Sequence, residues 1–202
     1  MSTIPTRRAV VFDIGGVLEI TPATGWPASW ERRLGLPAGE IGRRCAGVWA
    51  AGGVGEITEA EVREQVAEQL GLGPRQLDAI MADLWREYLG TLNEDLIAYV
   101  RSLRPRCRLG ILSNSFVGAR EREQHLVDLV DEAVYSHEIG LNKPDPKTFA
   151  LVCERLRSRP GDCLLVDDHP PNIAAAEAFG MRAVLHTGNA STVAAIEAHL
   201  AA

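Results

Sequence analysis

The chain has 202 residues, 46% hydrophobic and 24% charged, with a formal net charge of -6. These are the proportions of an ordinary soluble globular protein, long enough for one substantial core and a small accessory unit. The acidic balance excludes the basic face of a nucleic-acid binder, and no apolar run reaches membrane-spanning length, so neither a nucleic acid nor a membrane is an expected partner.

In chain order, residues 1–8 read as a polar lead-in without a leader pattern, which makes a cytoplasmic location the expectation. The run from Ala9 to Phe12 reads as a strand buried on both faces, of the kind found in parallel sheets. It ends in Asp13, followed by Ile14 and the pair Gly15-Gly16. An acid at the carboxyl end of such a strand sits where open α/β sheets place their ligands, and glycines let the backbone turn and approach a ligand closely. Asp13 therefore reads as a nucleophile or metal ligand, against the plainer reading of a turn cap.

From about Trp30 to Leu89 the periodicity is helical. Helices are predicted over 28–34, 38–51, 58–70 and 74–88. Thr58 with Glu61 three residues on forms a capping box, and Gly71 closes that helix. All four tryptophans (Trp26, Trp30, Trp49 and Trp85) lie in this stretch. They pack a small helical unit, or one or two of them line a substrate entrance. From Asn93 the pattern becomes α/β. Helices are predicted over 94–103, 118–130, 147–156, 171–179 and 192–200, and strands over 108–112, 133–136, 163–166 and 182–186. This alternation predicts a mainly parallel sheet with right-handed crossovers.

Cys45, Cys107, Cys153 and Cys163 have no CxxC or zinc-like spacing and read as buried small hydrophobes. The five histidines form no HxxxH or HExxH pair, so no zinc site is expected.

Polar residues gather at the predicted strand ends. Asp13 follows the first strand, Ser113 and Asn114 the second, and Asp167 and Asp168 the fourth. In a parallel sheet these ends share one edge, and Lys143 lies on the same side if its preceding strand is parallel too. Three carboxylates suit Mg²⁺, which takes oxygen ligands, and a lysine with a hydroxyl suits phosphoryl oxygens. Taken singly, Lys143 reads as a solvated charge, and Ser113 and Asp167-Asp168 as helix caps.

Taken together, the four segments resemble the motifs of the haloacid dehalogenase superfamily. Phe12-Asp13-Ile14-Gly15-Gly16-Val17 resembles its first motif and Leu112-Ser113-Asn114 its second. Lys143 before Pro144-Asp145-Pro146 resembles the third, and Val166-Asp167-Asp168-His169-Pro170-Pro171-Asn172 the fourth. The resemblance covers essentially the whole chain. It implies a Rossmann-like three-layer α/β core formed by 1–18 and 92–202, with a small α-helical cap, 19–91, inserted after strand one. It also implies a phosphatase using a phosphoaspartate on Asp13. Mg²⁺ would be held by Asp13, the Gly15 carbonyl and Asp168, with Asp167 direct or through water. Ser113, the Asn114 backbone N–H and Lys143 would hold the phosphoryl group, and Asn172 would orient the acidic cluster. The expected substrate is a small phosphorylated metabolite. Gly15, Gly16, Trp26, Trp30, Arg32, Arg43 and Arg44 are candidate contacts for it, although for the arginines and tryptophans surface charge and packing are the plainer readings.

One position departs from the resemblance. Most phosphatases of the superfamily carry a second Asp two residues after the nucleophile, as general acid/base, and here that position is Gly15. Such a group is typically worth about 10²–10⁴-fold in rate. Three outcomes stay open: a substrate with a good leaving group, a substitute such as His169 or a cap residue, or a weak catalyst that binds phospho-ligands. A 2-haloacid dehalogenase is a third functional reading, which the paired acids Asp167-Asp168 disfavour.

Overall fold

The computed structural model describes residues 7–202, so most of the predicted lead-in lies outside the described residues. In chain order the elements are β1 Ala9–Phe12, β2 Glu19–Ile20, α1 Ala28–Leu34, α2 Glu40–Arg44, α3 Ala46–Gly53, α4 Glu59–Leu70, α5 Pro74–Leu89, β3 Thr91–Leu92, α6 Glu94–Leu103, β4 Arg108–Ser113 and α7 Ala119–Arg122. There follow α8 Gln124–Val127, β5 Glu132–Tyr135, α9 Ser136–Ile139, α10 Pro146–Arg155, β6 Cys163–Asp167, α11 Pro170–Phe179, β7 Arg182–Leu185 and α12 Asn189–Ala201.

Five strands form one parallel sheet in the order β5-β4-β1-β6-β7. Every residue of β1 is buried, because alternate side chains serve opposite faces. Val10 and Phe12 share a core with Ile97 and Val100 of α6 and Ile196 of α12. Ala9 and Val11 share another with Phe149 and Val152 of α10 and Ala176 of α11. Helices thus cover both faces, the three-layer arrangement that a continuous apolar strand demands.

Register decides what meets at the carboxyl edge. Phe12 stands opposite Ile111 of β4 and Val166 of β6. The next residue on each strand is therefore level: Asp13, Leu112 and Asp167, with Ser113 one step further. β4 and β6 run one residue longer than predicted, so Ser113 and Asp167 close their strands instead of following them.

Helices α1 to α5 lie between β1 and β4. The chain leaves for them and returns through a two-stranded antiparallel ribbon, with Glu19 opposite Leu92 and Ile20 opposite Thr91. Two-residue strands carry no readable periodicity, so this ribbon was not predicted. Gly90 at its base has φ +56°, and a Cβ there would lie 2.3 Å from the Ile20 carbonyl oxygen. The capping box forms as predicted: the Glu61 N–H donates to Thr58 Oγ1, and the Glu61 carboxylate accepts from the Thr58 N–H.

Two predicted helices are each divided. The segment 38–51 forms α2 and α3, broken at Cys45, with Gly42 and Gly47 weakening helical propensity around the break. The segment 118–130 forms the short α7 and α8, with Glu123 at their junction. Glu123 is fully buried, which a continuous solvent-facing amphipathic helix would not allow. The single turn α9 was not predicted.

Candidate active site

The carboxyl edge of the sheet brings Asp13, Lys143, Asp167 and Asp168 together. Lys143 Nζ lies 2.6 Å from Asp167 Oδ2 and 3.0 Å from Asp13 Oδ2, and its side chain is fully buried. The loop carrying Lys143 is tied down by Asn114, whose Oδ1 accepts the Lys143 N–H at 2.6 Å while its Nδ2 donates to the Lys143 carbonyl at 2.9 Å. The Asn114 side chain therefore positions the lysine, a role that its place at a strand end did not disclose.

Asp167 is saturated with donors. Its Oδ1 accepts from the His169 N–H at 2.9 Å and from Asn172 Nδ2 at 3.0 Å, and its Oδ2 accepts from Lys143 Nζ. Asn172 is buried, as its contact with Asp167 requires, whereas the His169 ring is exposed and only its backbone meets the cluster. Asp13 accepts from the Ile14 N–H at 2.8 Å. Burial pushes the Asp13 carboxyl up to about 6, with the Lys143 ammonium opposing and Asp167 reinforcing the rise.

One carboxylate oxygen from each of Asp13, Asp167 and Asp168 lies within 4.8 Å of the others. Asp168 is exposed. A Cβ on Gly16 would come 2.1 Å from Asp168 Oδ2, so the missing side chain is what lets this carboxylate close on the loop after Asp13. An all-oxygen set in which Asp168 accepts no hydrogen bond among the described residues fits a hard divalent cation such as Mg²⁺.

Beside a cavity of about 730 Å³ lined by Gly16, Asn93, Asp168 and His186, two smaller ones open on this edge. One, of about 230 Å³, is lined by Gly15, Glu19, Tyr88, Ser113, Asn114 and Glu123. The other, of about 300 Å³, is lined mainly by Trp26, Trp49, Leu84, Tyr88 and Phe116. Tyr88 and Glu87 border both. Trp26 thus lines the aromatic cavity. Trp30 is buried in the helical layer, with its Nε1 bonded to Asp83 at 2.9 Å.

Arg43 and Arg44 are not brought to the site. Both fold back onto Glu40, at 2.6 and 2.8 Å, on the exposed side of α2. The i, i+3 and i, i+4 spacings make that pairing local. Arg32 is exposed on α1 and lines neither cavity. Glu19, Glu123, Tyr88 and Phe116 at these two cavities were missed as site residues, whereas Trp49 was among the tryptophans read as packing or lining an entrance. The signal available was an acid, Glu19, embedded directly after the apolar pair Val17-Leu18.

A five-stranded parallel sheet with an acid–lysine cluster at its carboxyl edge makes this a Rossmann-like α/β protein, of the kind that places ligands at the strand ends. The model of the haloacid dehalogenase-like hydrolases matches residues 7–180, and the chain belongs to that family of hydrolases. It is 33% identical over 189 residues to the phosphatase MT3486 of Mycobacterium tuberculosis (strain CDC 1551 / Oshkosh), covering 88% of this chain and 86% of that one. It is 25% identical to the phosphorylated carbohydrates phosphatase of Thermotoga maritima, over 88% of this chain and 83% of that one. Among solved structures, an HAD-like family hydrolase from Porphyromonas gingivalis superposes with a TM-score of 0.79 at 24% identity, covering 96% and 98% of the two chains. The HAD family enzyme bt-2542 of Bacteroides thetaiotaomicron, in complex with magnesium and inorganic phosphate, superposes at 0.75 with 21% identity, covering 89% and 93%. These last two likenesses are of fold.

Proposed function

We propose that this hydrolase is a Mg²⁺-dependent phosphatase that acts on a small phosphorylated metabolite through a phosphoaspartate on Asp13. The observation that carries this reading is the cluster itself: a carboxylate at a strand end, held between one buried ammonium and two further acids. The phosphatase relative at 33% identity supports it.

Asp13 and Asp168, with the Gly15 carbonyl, would hold the metal, and Asp167 would act through water because its own oxygens are committed to Lys143, Asn172 and the His169 N–H. When bound, Mg²⁺ offsets the charge of the phosphoryl oxygens and of the approaching carboxylate. An Asp13 oxygen forms the bond to phosphorus as the ester bond breaks, and water then releases phosphate. Lys143 and the Ser113 hydroxyl hold phosphoryl oxygens as charge redistributes. The helical segment 19–91 serves as a lid, and the aromatic cavity takes the organic part of the substrate. We place the enzyme in the cytoplasm, in keeping with four free, buried cysteines.

The test is phosphate release from a panel of phosphorylated metabolites, with Mg²⁺ or with chelator, for wild type and Asp13→Asn. Release that needs the metal and is abolished by Asp13→Asn is expected. Release that survives chelation or the substitution would overturn the mechanism.

A further inference from the structure

The ester oxygen of an alkyl phosphate leaves poorly as an alkoxide and needs a proton. Around Asp13 the obvious groups are already engaged. Lys143 spans Asp13 and Asp167, Asp167 is saturated, and Gly15, next to the nucleophile's loop, has no side chain to offer. The same 230 Å³ cavity nevertheless contains two buried carboxyl groups with unpartnered oxygens. Glu123 is 0% exposed, and neither of its side-chain oxygens has a hydrogen-bond partner among the described residues. Glu19 is 2% exposed, and its Oε2 is equally unpartnered. Two buried, unsatisfied carboxyls cost stability wherever they sit, so their placement in the wall beside Ser113 and Asn114 points to a use there.

We propose that Glu123, with Glu19 beside it, is the general acid and base of the phosphatase reaction. This rests on the phosphatase reading above. In the first half-reaction an Asp13 carboxylate oxygen bonds to phosphorus. The ester P–O bond breaks with its electron pair on the leaving oxygen, and the Glu123 proton passes to that oxygen, so the alcohol departs neutral and Glu123 is left ionised. In the second, a water oxygen bonds to phosphorus and its proton returns to Glu123. The bond between phosphorus and Asp13 breaks with its electrons on the Asp13 oxygen, and phosphate leaves.

The surroundings suit the task. Burial pushes Glu123 up to about 7, close to the pH at which an acid must also serve as a base. The titratable groups facing Glu123 are Glu19 from β2, Tyr88 from α5, Tyr135 from β5 and Asp13 after β1. The Tyr135 hydroxyl lies beside Glu123 and opposes the rise, and burial keeps both tyrosines protonated. Glu123 hydrogen-bonds to none of Asp13, Asp167 and Asp168.

The experiment compares wild type with Glu123→Gln, a neutral isostere of the protonated side chain, on two substrates. Acetyl phosphate has a leaving group that needs no proton; a primary alkyl phosphate has one that does. For the alkyl phosphate, kcat is expected to fall by about 10²–10⁴-fold. For acetyl phosphate, the variant should form the phosphoenzyme in a stoichiometric burst and then turn over slowly, because only the water step has lost its base. Gly15→Asp added to Glu123→Gln should restore alkyl phosphate turnover at least tenfold, since a Cβ at Gly15 meets nothing within 4 Å. Unchanged alkyl phosphate turnover, or an equal loss on both substrates without a burst, would overturn the proposal while leaving the phosphatase reading in place. A wild type inert on both substrates and on the whole metabolite panel would remove the phosphatase reading and the proposal with it.

Discussion

Lys143 Nζ donates to Asp167 Oδ2 across 2.6 Å, and neither side chain reaches solvent. The pair is the pivot of the cluster: the lysine reaches on to Asp13, while Asp167 gathers Asn172 and the His169 N–H. Removing one partner of a buried ion pair leaves the other charge uncompensated, at a cost of about 3–5 kcal/mol. Lys143→Met is therefore expected to lower stability by about that amount in urea unfolding, as well as to abolish turnover. A loss below about 1 kcal/mol, the scale of an exposed pair, would contradict the assignment.

Asp168 is the exposed acid of the three and carries little of the fold. Asp168→Ala should leave stability within about 0.5 kcal/mol of wild type. It should also raise the Mg²⁺ concentration needed for half-maximal activity by about tenfold or more, since even outer partners of metal ligands are worth 10–100-fold. An unchanged metal titration would remove Asp168 from the metal site.

The buried carboxyl of Glu123 predicts a pH dependence of stability. Its pKa is about 7 in the fold against 4.5 for an ordinary Glu, so the folded chain holds the proton more tightly than the unfolded one. Its contribution makes stability fall as pH rises from about 4.5 through about 7 and then level off, by on the order of 3 kcal/mol. Glu123→Gln cannot ionise, so Tm measured against pH should decline less steeply in the variant, which becomes the more stable protein at pH 8. Parallel curves for the two proteins would refute the burial argument.

The aromatic cavity predicts selectivity. Trp49 forms part of its wall, with its ring centroid 6.2 Å from that of Trp26 and 6.0 Å from that of Phe116. Full burial of a large apolar group is worth about 1.5–3 kcal/mol. Trp49→Ala should raise KM for an aryl phosphate by about tenfold or more and leave acetyl phosphate, which has no body to bury, nearly unchanged. A proportional change in both would show that the cavity does not hold the substrate.

Much of this protein was determined by local chemistry. An apolar run that ends in Asp13 is a buried parallel strand whatever follows it, and Thr58 with Glu61 starts a helix by bonds confined to one turn. Alternating helices and strands force parallel pairing, which carries Asp13, Ser113 and Asp167 to one edge. Tertiary structure decided the rest, because it depends on which faces meet. Arg43 and Arg44 turned to Glu40 on their own helix, where a pair at i+3 or i+4 forms without help from the rest of the chain. Glu123 falls inside a segment, 118–130, predicted as one continuous helix. It is instead sealed at the junction of two short helices, next to a glutamate more than a hundred residues earlier in the chain. Burial of a polar side chain is a property of everything packed around it, and no spacing along the chain encodes it.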